Sequence, residues 1–313
     1  MDSESQENQR DAVAPEEKPS TEAVSDSSVP SVRDSAMRSF VGLFIVPLLV
    51  VLVCVGVFVG FGWIAYDRQT TDDYLNDLKS SWKPRRAQAA YELAKIVIAD
   101  PAAIEEDPVA RMEIRRLFEE SDDEDMTRYL ALVLGRTRDP KAVPLLAAKA
   151  GKDSSPEQRI YALMALGATG LPSAVEPLIE SVTDEDPGVR KTATYALGEL
   201  RQPKAIPSLT ARLEDSEPDV RWNAAIALAR LENAAGVDVL HEMLDREKTG
   251  RVAGITPEQQ EEAMIGAVRA LAVVAAEESR SLFVQLADSD PSLKVRQAAI
   301  EAQRTLSAEA EGG

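Results

Sequence analysis

Asp186-Pro-Gly-Val-Arg-Lys-Thr-Ala-Thr-Tyr-Ala-Leu-Gly198 opens on an acid and a proline, sets alanine and leucine at helical spacing, and closes on glycine. Two neighbouring stretches repeat it: Glu157-Gln-Arg-Ile-Tyr-Ala-Leu-Met-Ala-Leu-Gly167 and Asp219-Val-Arg-Trp-Asn-Ala-Ala-Ile-Ala-Leu-Ala229. Arg159, Arg190 and Arg221 fall 31 residues apart, and Gly135, Gly167, Gly198 and Ala229 follow at intervals of 32, 31 and 31. A second short motif trails each unit, as in Asp139-Pro-Lys-Ala-Val-Pro-Leu-Leu146, Leu171-Pro-Ser-Ala-Val-Glu-Pro-Leu178 and Gln202-Pro-Lys-Ala-Ile-Pro-Ser-Leu209. Self-similarity at a fixed period signals a repeat array, and it governs every other reading of the chain.

One unit reads as a helical hairpin. Proline at the turn stops the preceding helix, and the acid beside it caps the next. Alanines let helices approach closely, and the glycine at Gly167 or Gly198 is expected to supply the positive φ that ends the first helix. The second helix starts near a proline, where the missing N–H costs nothing. A single hairpin cannot bury its apolar face, so units must stack. The fold expected is all-α: a right-handed-type α-solenoid of stacked helical hairpins, preceded by one transmembrane helix.

At these residues the chain resembles the HEAT-repeat superfamily, in particular the short bacterial phycobilisome-lyase-like HEAT repeats, over about Asp122 to Leu306. The pattern Asp-Pro-x-Val-Arg followed by Ala-x-Ala-Leu-Gly matches closely at Asp186–Gly198. Departures are local. Arg128 sits one position late, about twelve residues are inserted around Arg246–Gln259, and the last unit, Ser289–Leu306, has no second helix. The insertion reads as a long inter-helix loop and a second candidate for function.

The chain before the array divides into three. Residues 1–38 carry nine acids against four bases and almost no large apolar side chains, which reads as a disordered acidic tail. Residues 39–66 hold no charge over 28 positions, enough for a ~30 Å hydrocarbon core, and are expected to be a transmembrane helix. Within it Pro47 is expected to kink the helix, and Gly56 and Gly60 form a GxxxG spacing, extended by Gly62, suited to packing against another membrane helix. Residues 67–120 read as a membrane-proximal helical cap, with an amphipathic helix over Arg85–Val97, and 121–313 as the solenoid. Basic residues favour the C-terminal flank slightly, which places the solenoid on the cytoplasmic side of a bacterial inner membrane.

Chemistry is sparse. Net charge is −18, which argues against nucleic acid; Cys54 is the only cysteine and His241 the only histidine. No metal site, cofactor or catalytic residue is expected, and the chain reads as no enzyme. Ser121-Asp-Asp-Glu-Asp125 lacks the alternation and glycine of a calcium loop and reads as a solvated turn. The arginines Arg159, Arg190, Arg221 and Arg296 read as inter-repeat salt bridges rather than an anion ladder. Tyr161, Met164, Tyr195, Trp222 and Ile226 lie just after those arginines in successive units, so they line one face, suited to a protein partner. The function expected is a membrane-anchored scaffold or adaptor for a protein partner such as an integral membrane complex. The alternatives are a homo-oligomeric sensor with a ligand-binding solenoid and, from the resemblance alone, a phycobilin-lyase-like factor.

Overall fold

The computed structural model describes residues 44–65, 70–275 and 277–312, with side chains omitted at 61–65 and 308–312. Two compact units are present, Met1–Arg68 and Gln69–Gly313. The acidic tail, residues 1–38, lies outside the described residues.

The first unit contains α1, Val46–Ala65. Its described apolar side chains are exposed from Phe44 to Val59. Pro47 lies in the first turn, where no intrahelical N–H is required. The expected transmembrane span, and with it the single-pass placement in a bacterial inner membrane with a cytoplasmic solenoid, is corrected. Among the described residues no helix is long and apolar enough to cross a membrane. Residues 39–43 and 66, which that span includes, lie outside the described residues.

The second unit starts with α2 (Thr71–Asp77), α3 (Lys83–Ala99), α4 (Ala102–Glu105) and α5 (Pro108–Glu120). The repeats follow as pairs: α6 (Glu124–Arg136) with α7 (Ala142–Lys149), α8 (Pro156–Ala168) with α9 (Val175–Ser181), and α10 (Pro187–Leu200) with α11 (Ile206–Arg212). Next come α12 (Pro218–Arg230) and α13 (Val237–Met243), the short α14 (Arg246–Gly250), and α15 (Pro257–Val274), α16 (Arg280–Ser289) and α17 (Leu293–Gly312). The longer helices α3, α6, α8, α10, α12, α15 and α17 stack side by side in one layer. In the regular part the short helices form a second layer, each packed on the long helix that follows it.

Local chemistry sets the starts. Pro156, Pro187, Pro218 and Pro257 occupy the first helical position, and Ser155 and Thr256 close capping boxes with Gln158 and Gln259. Asp186 accepts from the Val189 N–H at 3.0 Å, whereas Glu217 makes no side-chain cap.

The glycines act differently from expectation. Gly167 and Gly198 lie inside α8 and α10, not past their ends. A Cβ on Gly167 would stand 2.8 Å from the Ala196 Cβ, and one on Gly198 would stand 2.7 Å from the Ala227 Cβ. Gly135 makes the same approach to the Ala165 backbone. These glycines are therefore contact points between stacked long helices, and the missing Cβ sets their spacing. Positive φ falls elsewhere, at Gly170 and at Arg138, Arg201 and Glu232.

An arginine–aspartate ladder ties successive repeats together. The Arg159 guanidinium donates to Asp184 at 2.9 Å, and Arg190 donates to both oxygens of Asp215 at 3.0 and 2.9 Å. Arg115 of α5 also pairs with an aspartate, Asp139, which lies inside the α6–α7 hairpin and not before a long helix. Each aspartate also accepts a backbone N–H two residues on, from Lys141, Asp186 or Glu217. Burial pushes the Asp215 carboxyl up, but hydrogen bonds from Arg190 and the Glu217 N–H, with the charges of Arg190 and Arg212, leave it below the usual carboxylate range.

The ladder slips where the insertion begins. Thirty-one positions beyond Asp215 stands Arg246, so Arg221 meets no aspartate in register. Arg221 keeps only the carbonyl bonds, to Asp215 and Ser216 at 2.9 and 3.2 Å, that Arg190 makes to Asp184 and Glu185 besides its aspartate pair. Arg246 resumes the pattern, reaching both oxygens of Asp290 at 2.9 and 2.6 Å. Arg296 has no carboxylate partner among the described residues. The apolar core divides near the same place. One cluster runs from Leu75 to Leu209 and takes in Ala227 and Leu228 of α12; the other runs from Trp222 to Leu306.

Candidate functional site

Stacking brings equivalent positions of the long helices into rows. Met164, Tyr195 and Ile226 stand five residues after Arg159, Arg190 and Arg221 and form one such row. Met164 is 47% exposed and Tyr195 49%, while Ile226 is half-buried against the second core. Arg230, paired with Glu199 at 2.6 Å, lies over the Tyr195 ring at 5.5 Å. Burial and the Glu199 carboxylate raise the Tyr195 phenol above its ordinary value against the opposing charge of Arg230, so the ring presents a neutral hydroxyl at pH 7.

Tyr161 belongs to a different row. It is half-buried, and the Arg128 guanidinium lies 5.5 Å from its ring and 5.0 Å from that of Tyr129. Tyr91 meets Tyr129 edge to face at 5.3 Å, and Lys95 lies over Tyr91 at the same distance. This file of stacked cations and rings continues the aromatic face into α3. The sequence reading missed Tyr91 and Tyr129. Tyr129 follows the displaced Arg128, and the tyrosine in Arg85–Val97 was the available signal for Tyr91.

Trp222 is only 7% exposed and packs within the second core cluster. Val252 and Ile255 of the inserted segment pack against the same cluster. Rather than a long loop, the insertion is α14, capped by Asp245 through the Glu247 and Lys248 N–H groups, and a turn ending at Thr256. Gly254, at φ +80°, permits that turn. The Gln260 amide holds α14 to α15 by donating to the Arg246 carbonyl and the Thr249 hydroxyl, both at 2.7 Å.

Between the turn and the starts of α10 and α12 lies a cleft of ≈ 640 Å³. Its apolar lining comes from Trp222, Ile226, Met243, Val252, Ile255 and Ala263, and its polar lining includes Lys191, Glu217, Asp219 and Glu262. Lys191 pairs with Asp219, which leaves Glu217 and Glu262 without an ion-pair partner among the described residues.

The remaining candidates have plain structural surroundings. Asp123 caps α6 and stands 3.5 Å from Arg86, and Asp125 pairs with Arg128. His241 Nε2 lies 3.1 Å from the buried Ser279 hydroxyl, joining α13 to the turn before α16. In α1, a Cβ on Gly56 or Gly60 would meet nothing within 4 Å, and Gly62 falls where side chains are not described.

A family model described as HEAT repeats matches residues 113–194, 149–218 and 176–256. None of the curated proteins matches the sequence. Among solved structures, the chain is similar to the CpcE–CpcF complex of phycocyanin lyase from Nostoc sp. PCC7120, at 20% identity and TM-score 0.49, covering 76% of this chain and 95% of that one. It is also similar to human deoxyhypusine hydroxylase in complex with glycerol, at 19% identity and TM-score 0.32, covering 75% and 95%. An engineered protein matches at 19% identity and TM-score 0.37, covering 76% and 96%. At these TM-scores no argument passes from those proteins to this one. The family match coincides with the helix pairs and the arginine–aspartate ladder: residues 113–256 are HEAT repeats, and the chain carries a HEAT-repeat α-solenoid.

Proposed function

We propose that this chain is a non-enzymatic HEAT-repeat adaptor that docks a protein partner on the exposed face of its long-helix layer. The observation that carries the reading is the adjacent exposure of Met164 and Tyr195 at equivalent positions of neighbouring repeats. Tyrosine supplies a large amphipathic contact at little entropic cost, and methionine adapts to an irregular partner surface. Stacked repeats extend such contacts along a continuous surface. Trp222 is not part of the proposed contact, because it supports the second core.

Crosslinking and mass spectrometry of the full chain from its native source test the reading. The double variant Met164→Ala, Tyr195→Ala should lose the crosslinked partner. Both side chains are about half exposed, so thermal stability should change by no more than about 0.5 kcal/mol. Undiminished partner recovery would overturn the assignment of this face.

A further inference from the structure

We infer that the cleft beneath Val252–Ile255 takes a short extended segment of a partner protein, one carrying an apolar side chain flanked by lysine or arginine. The inference rests on the adaptor reading and specifies what part of the partner is held. At ≈ 640 Å³ the cleft falls within the ~300–1,000 Å³ range of pockets that bury small ligands, which suits a few residues of chain and not a folded domain.

The lining decides the chemistry. Trp222, Ile226, Met243, Val252, Ile255 and Ala263 offer an apolar seat. Its rim carries three carboxylates and one lysine, and that lysine is committed to Asp219. Glu217 and Glu262 are exposed and form no salt bridge among the described residues; Arg190 and Lys294 act on them only at longer range, so the rim keeps an excess of negative charge and attracts a cation beside whatever fills the seat. The same charges disfavour other occupants. Residues 1–38 of this chain carry nine acids against four bases, and a second copy brings a net charge of −18. The Ile255 N–H closes the turn on the Val252 carbonyl at 3.2 Å, and Gln260 holds the preceding α14 to α15, so the seat is formed without a ligand, which lowers the ordering cost of binding.

Fluorescence anisotropy on the purified full chain tests this with three labelled peptides. One has the sequence Gly-Lys-Leu-Phe-Lys-Gly; a second replaces both lysines with glutamate; a third replaces leucine and phenylalanine with serine. The first should bind saturably below about 1 mM, with each control at least about tenfold weaker. The exposed double variant Glu217→Lys, Glu262→Lys should weaken the first peptide about tenfold and narrow its advantage over the glutamate peptide. Equal binding of the glutamate peptide, unchanged binding to the double variant, or no saturable binding would each overturn the inference. Crosslinked-partner recovery by the same variant separates the two readings. Recovery that persists while peptide binding fails leaves the adaptor standing without this cleft, whereas no partner at all removes the adaptor itself.

Discussion

From α8 to α12 each long helix meets the next through the same two contacts, a glycine against an alanine and an arginine against an aspartate 25 residues ahead, whereas α6 meets α8 through Gly135 and an Arg128–Glu157 pair. Beyond Asp245 the chain keeps the arginine–aspartate joint but spans 44 residues to make it, from Arg246 to Asp290. The glycine contact is gone there: Ala229 takes the glycine position, and Gly266 faces only the flexible end of Ile226, 3.1 Å from its would-be Cβ. The comparison separates two jobs. The ion pair can skip an insertion, because a long guanidinium arm reaches its partner whatever the intervening chain does. Close glycine packing cannot, because it requires two helices in one fixed register.

The largest effect should come from the ladder. Asp215 is almost fully buried and its partner Arg190 is 13% exposed, so Asp215→Ala leaves a buried cation unpaired and should cost about 3–5 kcal/mol. Asp290→Ala should cost less, about 2 kcal/mol, because Arg246 is 29% exposed and can turn to water. Urea unfolding followed by circular dichroism measures both. Equal losses would mean that the joint is as tightly held after the insertion as before it.

The same aspartate sets a pH dependence. Its folded pKa is depressed, so its contribution is complete above the unfolded aspartate value of about 3.9 and is lost as pH falls through the folded value. Asp215→Asn should therefore flatten the fall in urea midpoint below about pH 4. An unaltered acid limb would place the titration elsewhere.

Glycine packing comes next. Gly198→Ala forces two Cβ atoms to 2.7 Å and should cost about 1–3 kcal/mol, whereas Gly266→Ala meets a side-chain tip that can rotate and should cost under about 1 kcal/mol. A reversed order would show that register tolerates more than the contact distances imply. Arg221→Ala should be comparably mild, about 1 kcal/mol, since only two backbone carbonyls lose a donor. Thermal melts monitored by far-ultraviolet dichroism would rank all three, and a loss at Arg221 matching that at Asp215 would break the contrast.

Much of this architecture is legible in the residues. The prolines that open the second helices, Pro172 and Pro203, the cap at Asp186 and the 31-residue arginine period all correspond to what is observed. The readings that differ share a cause. Gly167 and Gly198 look like helix terminators because glycine near the end of an apolar run commonly is one; that Ala196 and Ala227 stand against them depends on another helix. Trp222 looks like a surface anchor by its place in the repeat, yet it packs into the second core. The face at Tyr91 and Tyr129 was missed because the one-residue slip at Arg128 hides it from a strict period.

Hairpin, repeat and cap follow from sequence alone because each is a local matter of propensity, turn chemistry and apolar spacing within about thirty residues. Tertiary packing decided the rest. Which aspartate an arginine meets, which glycine must stay bare, which aromatic remains in solvent and where a cleft opens all turn on distances between groups 25 to 44 residues apart. Those distances are set by how whole helices stack, and no short pattern of residues encodes them.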